Sequence, residues 1–345
     1  MKIFLNYNVV KYQMWKVISV KKIRLGIVGC GIAARTLHFP ALKELSHLFE
    51  ITAVTSRTRA HAEEFARMSG NPVVFDSYEE LLDSGLVDAV DLAVPVDLNL
   101  PFIERALQKG VHVICEKPIS TDVKTGKKIV ALSRNSNKVV YIAENFRHAS
   151  VFWKAKELIE AGKIGEVVYT SWQIWVGMDE SNEYVRTDWR KEPKHVGGFL
   201  SDGGVHHAAA LRLIFGEVEW VSAVAEDLSP HLGGMDFLST LFEFENGIVG
   251  NYTVSYSLKG EDEFEVVGTK GKMFIFWDKI VLNDDVVAVP QEDSYQREFE
   301  DFYHVIVTGK PNNLGNPEEA LKDLAFIEAC VKSNGEKTFI SEFLL

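Results

Sequence analysis

The stretch IRLGIVGCGIAAR (23–35) constrains the fold more than any other part of the chain. A short apolar run leads straight into Gly29, Gly31 and Ala34, at G-x-G-x-x-A spacing, and a helical pattern follows. The spacing gains its meaning from that context, a strand ending where a helix begins. Gly29 permits a tight turn, Gly31 lets backbone amides approach a pyrophosphate, and Ala34 lets helix and strand pack closely. Ile32 and Ala33 then present the helix N-terminus to negative charge. Downstream the alternation continues. ITAVT (51–55), AVDLAV (89–94), VHVIC (111–115) and VVYIA (139–143) read as buried strands. Between them lie the helical patterns AHAEEFARM (60–68), SYEELLDS (77–84) and PFIERALQKG (101–110). Ser77 with Glu80 predicts a capping box, and Gly110 a helix stop. Such alternation predicts an α/β fold with a doubly wound parallel sheet.

The pattern changes in the second half. SVFWKAKELIEAGKIG (150–165) predicts one more helix. Longer strands with period-two alternation follow: STLFEFENGIVGNYTVSYS (239–257), with Asn246-Gly247 as a hairpin turn, FEVVGTKGKMFIFW (264–277) and KIVLNDDVVAV (279–289). They predict a large, mostly antiparallel sheet. NPEEALKDLAFIEACVKSNG (316–335) predicts a helix with an Asn cap and Pro at its first position. With 345 residues, two domains are expected. They are a nucleotide-binding domain over 23–146 and a second domain over 147–345 for substrate binding and oligomerisation. The final helix (317–334) is expected to pack back on the first domain.

The net charge of −12 argues against non-specific binding to nucleic acid or an anionic membrane. No apolar run reaches the length of a membrane span. Cys30, Cys115 and Cys330 are scattered and show no CxxC pattern, so a reducing cytoplasm is the expected compartment. Residues 1–22 read as an extension without the apolar core of a signal peptide, and translation from Met14 is expected.

The end of the second strand reads VTSRTRA, with Ser56, Arg57 and Thr58 where NAD sites usually carry an acid. No carboxylate stands there to repel a 2′-phosphate, and Arg57 can pair with one. NADP(H) is therefore expected over NAD(H). The fifth strand ends in ICEKPIS, so Glu116, Lys117 and Pro118 follow the carboxyl end of a parallel strand, where open α/β sheets bind ligands. GGFLSDGGVHH (197–207) leads into a helix on which Asp202 and His206 are four apart and share a face. Only these two converge, too few for a metal site.

Together these pieces resemble the glucose–fructose oxidoreductase/inositol dehydrogenase/MocA family. The matching segments are GCGIAA, AVPVDLN, ICEKP, ENFRH (144–148), DWRKEPKHVGGFLSDGGVHH and the C-terminal helix. The resemblance implies a Rossmann domain followed by an α/β domain on a large, open, mostly antiparallel sheet. It implies hydride transfer between a nicotinamide cofactor and a carbon of a sugar, cyclitol or related alcohol. Lys117, Asp202 and His206 match the family's catalytic positions. Val94, Pro95, Asn99, Asn145, Trp189 and Arg190 match positions near the cofactor, and Arg147 and Tyr184 are candidates for the substrate. The chain departs from the family at Asn99, where many members carry His, and at Ala209, where many carry Asp. A homodimer or homotetramer through the open sheet is implied as well. Two alternatives from the same family are a non-catalytic dinucleotide-binding regulator and an enzyme of another substrate class. The latter is an aldose–aldose oxidoreductase that retains its cofactor, or a dihydrodiol dehydrogenase.

Overall fold

The structure, a computed structural model, describes residues 21–345. The expected Met14 start, and all of the extension but Lys21 and Lys22, lie outside the described residues. The first half forms a six-stranded parallel sheet in the order β3-β2-β1-β4-β5-β6. Its strands are β1 (Ile23–Val28), β2 (Phe49–Thr55), β3 (Val73–Phe75), β4 (Ala89–Leu92), β5 (His112–Glu116) and β6 (Val140–Ala143). The fully buried runs of β4, apolar but for Asp91, and of β6 are what two-sided helix cover demands. Helices Arg59–Met68, Tyr78–Asp83, Asn99–Gln108 and Val123–Arg134 connect the strands. Ser77 caps its helix, its hydroxyl accepting from Glu80 N at 3.2 Å. The Glu80 carboxylate reaches back to Asp76 N rather than to Ser77.

The second half is built on nine strands: β7 (Val167–Trp175), β8 (Val218–Glu226), β9 (Phe237–Phe244), β10 (Val249–Ser255), β11 (Glu263–Gly268), β12 (Gly271–Ile275), β13 (Lys279–Leu282), β14 (Asp285–Ala288) and β15 (Thr338–Phe339). Their order is β14-β13-β12-β11-β7-β10-β9-β8-β15. Only β7 and β10 pair in parallel; the other pairs are antiparallel. Gly247 takes φ +84° in the predicted turn, where a side chain would be strained. Four helices matter most for the site: α1 (Ser150–Glu160), α2 (Phe199–Phe215), α3 (Ser294–Thr308) and α4 (Pro317–Ser333).

Two of these helices return to the first half. On α4, Glu328 accepts from Val123 N at 2.7 Å, and Glu318 pairs with Arg134 at 2.7 Å. The α3 helix inserts Phe299 and Phe302 into the core beneath β1 and β2, where Phe49 meets them at 5.9 and 6.4 Å between centroids.

Tyr141 and His148 sit at this seam. Tyr141 donates to Asp301 at 3.0 Å and takes a hydrogen bond from His148 Nε2 at 2.8 Å. Burial pushes the His148 pKa down to about 4. The unfolded chain, titrating near 6.5, therefore takes up this proton first, and stability falls as pH drops from about 6.5 towards 4. Linkage puts the loss from this group at about 2 kcal/mol at pH 5. Urea unfolding at pH 7 and pH 5 should show a decrement to which His112, also lowered to about 4, contributes as well, and His148→Gln should shrink it by about 2 kcal/mol. An unchanged difference in the variant would sink the assignment.

Candidate active site

The loop after β1 has the expected geometry. Gly29 takes φ +91°, and a Cβ there would lie 2.3 Å from the Ala93 carbonyl oxygen. A Cβ on Gly31 would meet nothing within 4 Å, so internal packing does not demand this glycine. Open space in front of a helix N-terminus is what an incoming diphosphate requires. Ile32 and Ala33 are half-buried and Ala34 is buried. The helix has a wide π turn over Ala34–His38 before continuing over Phe39–Glu44.

That turn delivers His38 to the interior. Its Nδ1 meets Asp91 Oδ2 at 2.8 Å and its Nε2 meets Glu116 Oε1 at 2.8 Å. Both partners are carboxylates, so both ring nitrogens donate. Burial opposes the charge, but Asp91 and Glu116 outweigh it and hold the imidazole pKa well above its ordinary value. The second Glu116 oxygen accepts from Lys117 N at 3.1 Å. The helix after the glycine loop is thus pinned to the turn that carries Lys117, whose bond to Pro118 is cis.

Lys117 crosses to α2. Its ammonium donates to the Asp202 carbonyl at 2.6 Å and lies 3.4 Å from Asp202 Oδ1. Arg190 Nε donates to Asp202 Oδ2 at 2.6 Å. Burial works against the Asp202 carboxylate, but Lys117 and Arg190 outweigh it and hold the pKa well below the usual range. The Arg190 guanidinium lies over Trp189 and Tyr184, 3.9 and 4.9 Å from the ring centroids. One turn along α2, His206 Nδ1 meets Glu144 Oε1 at 2.6 Å. Phe146 stacks on the His206 ring at 4.6 Å and 19°. Glu144 is buried, and its pKa is lowered because His206 outweighs the cost of burial. The two halves therefore bring Lys117, Asp202, His206, Arg190, Trp189, Tyr184 and Glu116 into one cluster.

At the end of β2, Ser56 is half-buried and Arg57 and Thr58 are exposed. Arg59 is held by Glu63 and Asp76, whereas Arg57 makes no ion pair among the described residues. Val94 and Pro95 lie half-buried beyond β4.

Three of the expected site residues have polar partners inside the fold. Asn99 is 1% exposed, and its amide donates to the carbonyls of Glu116, Pro118 and Ile119 at 3.3, 2.9 and 3.4 Å. It braces the Lys117 turn from behind. Arg147 is buried too, its guanidinium committed to Asp323 and the Leu314 carbonyl, so it is not free for a substrate. Asn145 has its amide on Ser294 Oγ at 3.0 Å.

With this geometry in view, residues 23–144 match the NAD-binding Rossmann fold of an oxidoreductase family, and residues 156–341 match its C-terminal α/β domain. The chain belongs to the Gfo/Idh/MocA oxidoreductase family. A crystal structure of an oxidoreductase from Thermotoga maritima is 76% identical, with a TM-score of 0.93, over 94% of this chain and 100% of that one. An uncharacterised protein of Saccharomyces cerevisiae is 31% identical over 339 residues, 91% of this chain and 96% of its own. The dTDP-3,4-didehydro-2,6-dideoxy-α-D-glucose 3-reductase of Actinomadura kijaniata is 30% identical over 262 residues, 74% of this chain and 75% of its own.

Several residues of this family member's site escaped the sequence reading. Glu144 adjoins the noted Asn145, but nothing marked it as the partner of His206. His38 and Asp91 lie within helix and strand patterns that give no sign of a buried ion pair. Tyr295, on α3, approaches His38 at 6.3 Å between ring centroids. Glu298, on the same helix, is wholly buried with neither carboxylate oxygen bonded, and burial raises its pKa well above the ordinary value. The helical spacing of Phe299, Phe302, Tyr303 and Ile306 was the signal that could have found α3.

Proposed function

We propose that this chain is an NADP(H)-dependent oxidoreductase moving hydride between the nicotinamide and a carbinol carbon of a sugar, cyclitol or related cyclic alcohol. One observation carries the reading: Lys117, Asp202, His206 and Glu144 converge at the carboxyl end of the parallel sheet that also carries the Gly29–Gly31 loop. The residues present fit a dinucleotide, because Gly31 leaves open ground at a helix N-terminus. In this reading Gly29, Gly31, Ile32, Ala33 and Ala34 hold its pyrophosphate, and Ser56, Arg57 and Thr58 hold the adenosine ribose. Val94, Pro95, Glu116, Pro118, Trp189 and Arg190 border its nicotinamide half. When bound, the nicotinamide supplies an acceptor or donor for hydride.

The protein's own groups handle the proton and the charge. Glu144 accepts a hydrogen bond from His206 Nδ1–H, leaving Nε2 as the base. In oxidation, Nε2 takes the substrate hydroxyl proton as the same carbon loses its hydride. The Lys117 ammonium has three donors, and Asp202 occupies two. The third is left to bond the reacting oxygen and to stabilise its developing negative charge. Asp202 and Arg190 fix the ammonium in place, and Tyr184 flanks the substrate's space. Reduction runs these steps backwards, as the keto-sugar reductase among the relatives would require.

The preference for NADP(H) rests on Arg57, exposed and without an ion pair among the described residues. Arg57→Ala is expected to weaken NADP⁺ binding about 10- to 100-fold and leave NAD⁺ binding unchanged, the range of one charge-assisted contact. Titrating both cofactors against both proteins checks this, and an unaltered ratio would refute the assignment. Association through the second sheet is supported by its helix-free face, where Tyr169, Val224 and Leu241 are each more than a third exposed. Light scattering tests it. No helix among the described residues is long and apolar enough to cross a membrane. All three cysteines are buried free thiols, which fits a reducing compartment such as the cytoplasm. Turnover of NADP⁺ or NAD⁺ across aldoses, inositols and trans-dihydrodiols is the direct test. Tight cofactor binding without turnover of any of them would favour a regulator.

A further inference from the structure

Behind Phe146 the second half holds a recess with a cavity volume of about 120 Å³. Its walls are aromatic: Phe146, Phe152, Trp172, Phe264, Phe276 and Trp277. Trp172 and Phe264 stack at 4.2 Å and 5°. Trp277, in the turn after β12, is 57% exposed and Phe276 is 39% exposed. Two large apolar side chains at the mouth of a concavity cost solvation unless something apolar covers them.

The recess adjoins the candidate active site, with Phe146 as the wall between them. One face of Phe146 lies on His206, and its edge contacts Trp277 at 5.0 Å and Phe152 at 5.5 Å between centroids.

Two polar side chains belong to its lining: Asp262, whose Oδ1 accepts from Trp175 N at 2.8 Å, and His207. His207 is buried, and its Nδ1 meets the Tyr252 hydroxyl at 2.7 Å. That hydroxyl has no other hydrogen-bond partner among the described residues, so it donates to Nδ1 and the ring proton sits on Nε2. Burial, together with His206 and Lys117 nearby, keeps this imidazole neutral. His207 Nε2–H has no protein partner among the described residues. An unpaired donor beneath aromatic walls suits a planar ring carrying an oxygen acceptor.

We propose that this recess binds the aryl group of an aryl-substituted substrate, such as an aryl glycoside, while its sugar ring lies at Lys117 and His206. The proposal deepens the oxidoreductase reading and rests on it for the placement of the sugar. In it, Trp277 and Phe276 cover the aryl face, and His207 donates to an oxygen on or beside the ring. Stacking and apolar burial of one ring predict a preference of at least tenfold over a methyl group.

Matched phenyl and methyl glycosides of glucose, galactose and xylose test this on the full-length protein. Calorimetry measures binding in the presence of NADPH, and NADP⁺ reduction measures turnover. Wild type is expected to bind at least one phenyl glycoside ten times or more tighter than its methyl counterpart. Trp277→Ala, at an exposed turn outside the catalytic cluster, should erase that preference and leave the methyl glycoside unchanged. Equal affinities in wild type, no binding of either series, or equal weakening of both in the variant would each overturn the proposal. Trp277-dependent phenyl binding without turnover would uphold the recess and refute the dehydrogenase reading of these compounds. Turnover of methyl glycosides without a phenyl preference would do the reverse.

Discussion

Lys117→Ala is expected to lower kcat by three to four orders of magnitude while cofactor affinity changes less than threefold. The reason is directional. The ammonium rests on the Asp202 carbonyl and carboxylate, so its remaining donor acts only on a reacting oxygen whose charge grows in the transition state. Removing a preorganised donor of this kind costs about 10²–10³, and loss of the neighbouring charge adds to it. His206→Asn should cost about 10²–10⁴, the usual range for a general acid–base. Glu144→Gln separates positioning from chemistry. It keeps a hydrogen-bonding group at Nδ1 but removes the carboxylate beside the ring. It should lower kcat less than His206→Asn does and leave cofactor affinity unchanged, whereas a general structural role would weaken both. Stopped-flow nicotinamide absorbance and cofactor titration supply both readouts. Near-normal turnover in Lys117→Ala would defeat the assignment.

Asp323→Ala is expected to destabilise the fold by about 3–5 kcal/mol, the cost of leaving a buried charge uncompensated. Asp323 is 1% exposed and holds two guanidiniums, those of Arg147 and Arg212. Arg212 would keep Glu217 and Glu319, at 2.8 and 2.6 Å. Arg147 would retain only the Leu314 carbonyl, at 3.4 Å. The penalty therefore falls chiefly on Arg147, three residues from Glu144, so the variant should also lose activity through a loosened His206. Urea denaturation with an unchanged m-value checks the first statement. A loss under 1 kcal/mol would contradict it.

The parts of the fold that were legible in the sequence are those that repeat. The four consecutive buried residues of β4, broken only by Asp91, and those of β6 read as buried strands between helices. The Asn246-Gly247 pair dictates its turn, and i,i+4 spacing puts Asp202 and His206 on one face. The three-residue β3 was invisible because it is too short to alternate. Periodicity could mark a face on α3 but not what it packs against, and that partner proved to be the first sheet. Single titratable groups carry no pattern at all. His38 finds Asp91 and Glu116 across 53 and 78 residues, and Glu144 finds His206 across 62. The bracing role of Asn99 was hidden for a related reason: an amide beside a cofactor loop and an amide bracing a turn look the same in one dimension.

The insertion of Phe299 and Phe302 from α3 into the core beneath β1 and β2 has a consequence for biosynthesis. The nucleotide-binding sheet is complete once Ala143 has been made, yet the aromatic plug for one of its faces is encoded far downstream. At ordinary elongation rates that interval is roughly ten to thirty seconds. Throughout it, the nascent sheet leaves the ribosome with Phe49 and its neighbours uncovered, a natural client for a holding chaperone. A gene cut after the last parallel strand would make that state permanent, so the nucleotide-binding half is not a portable module.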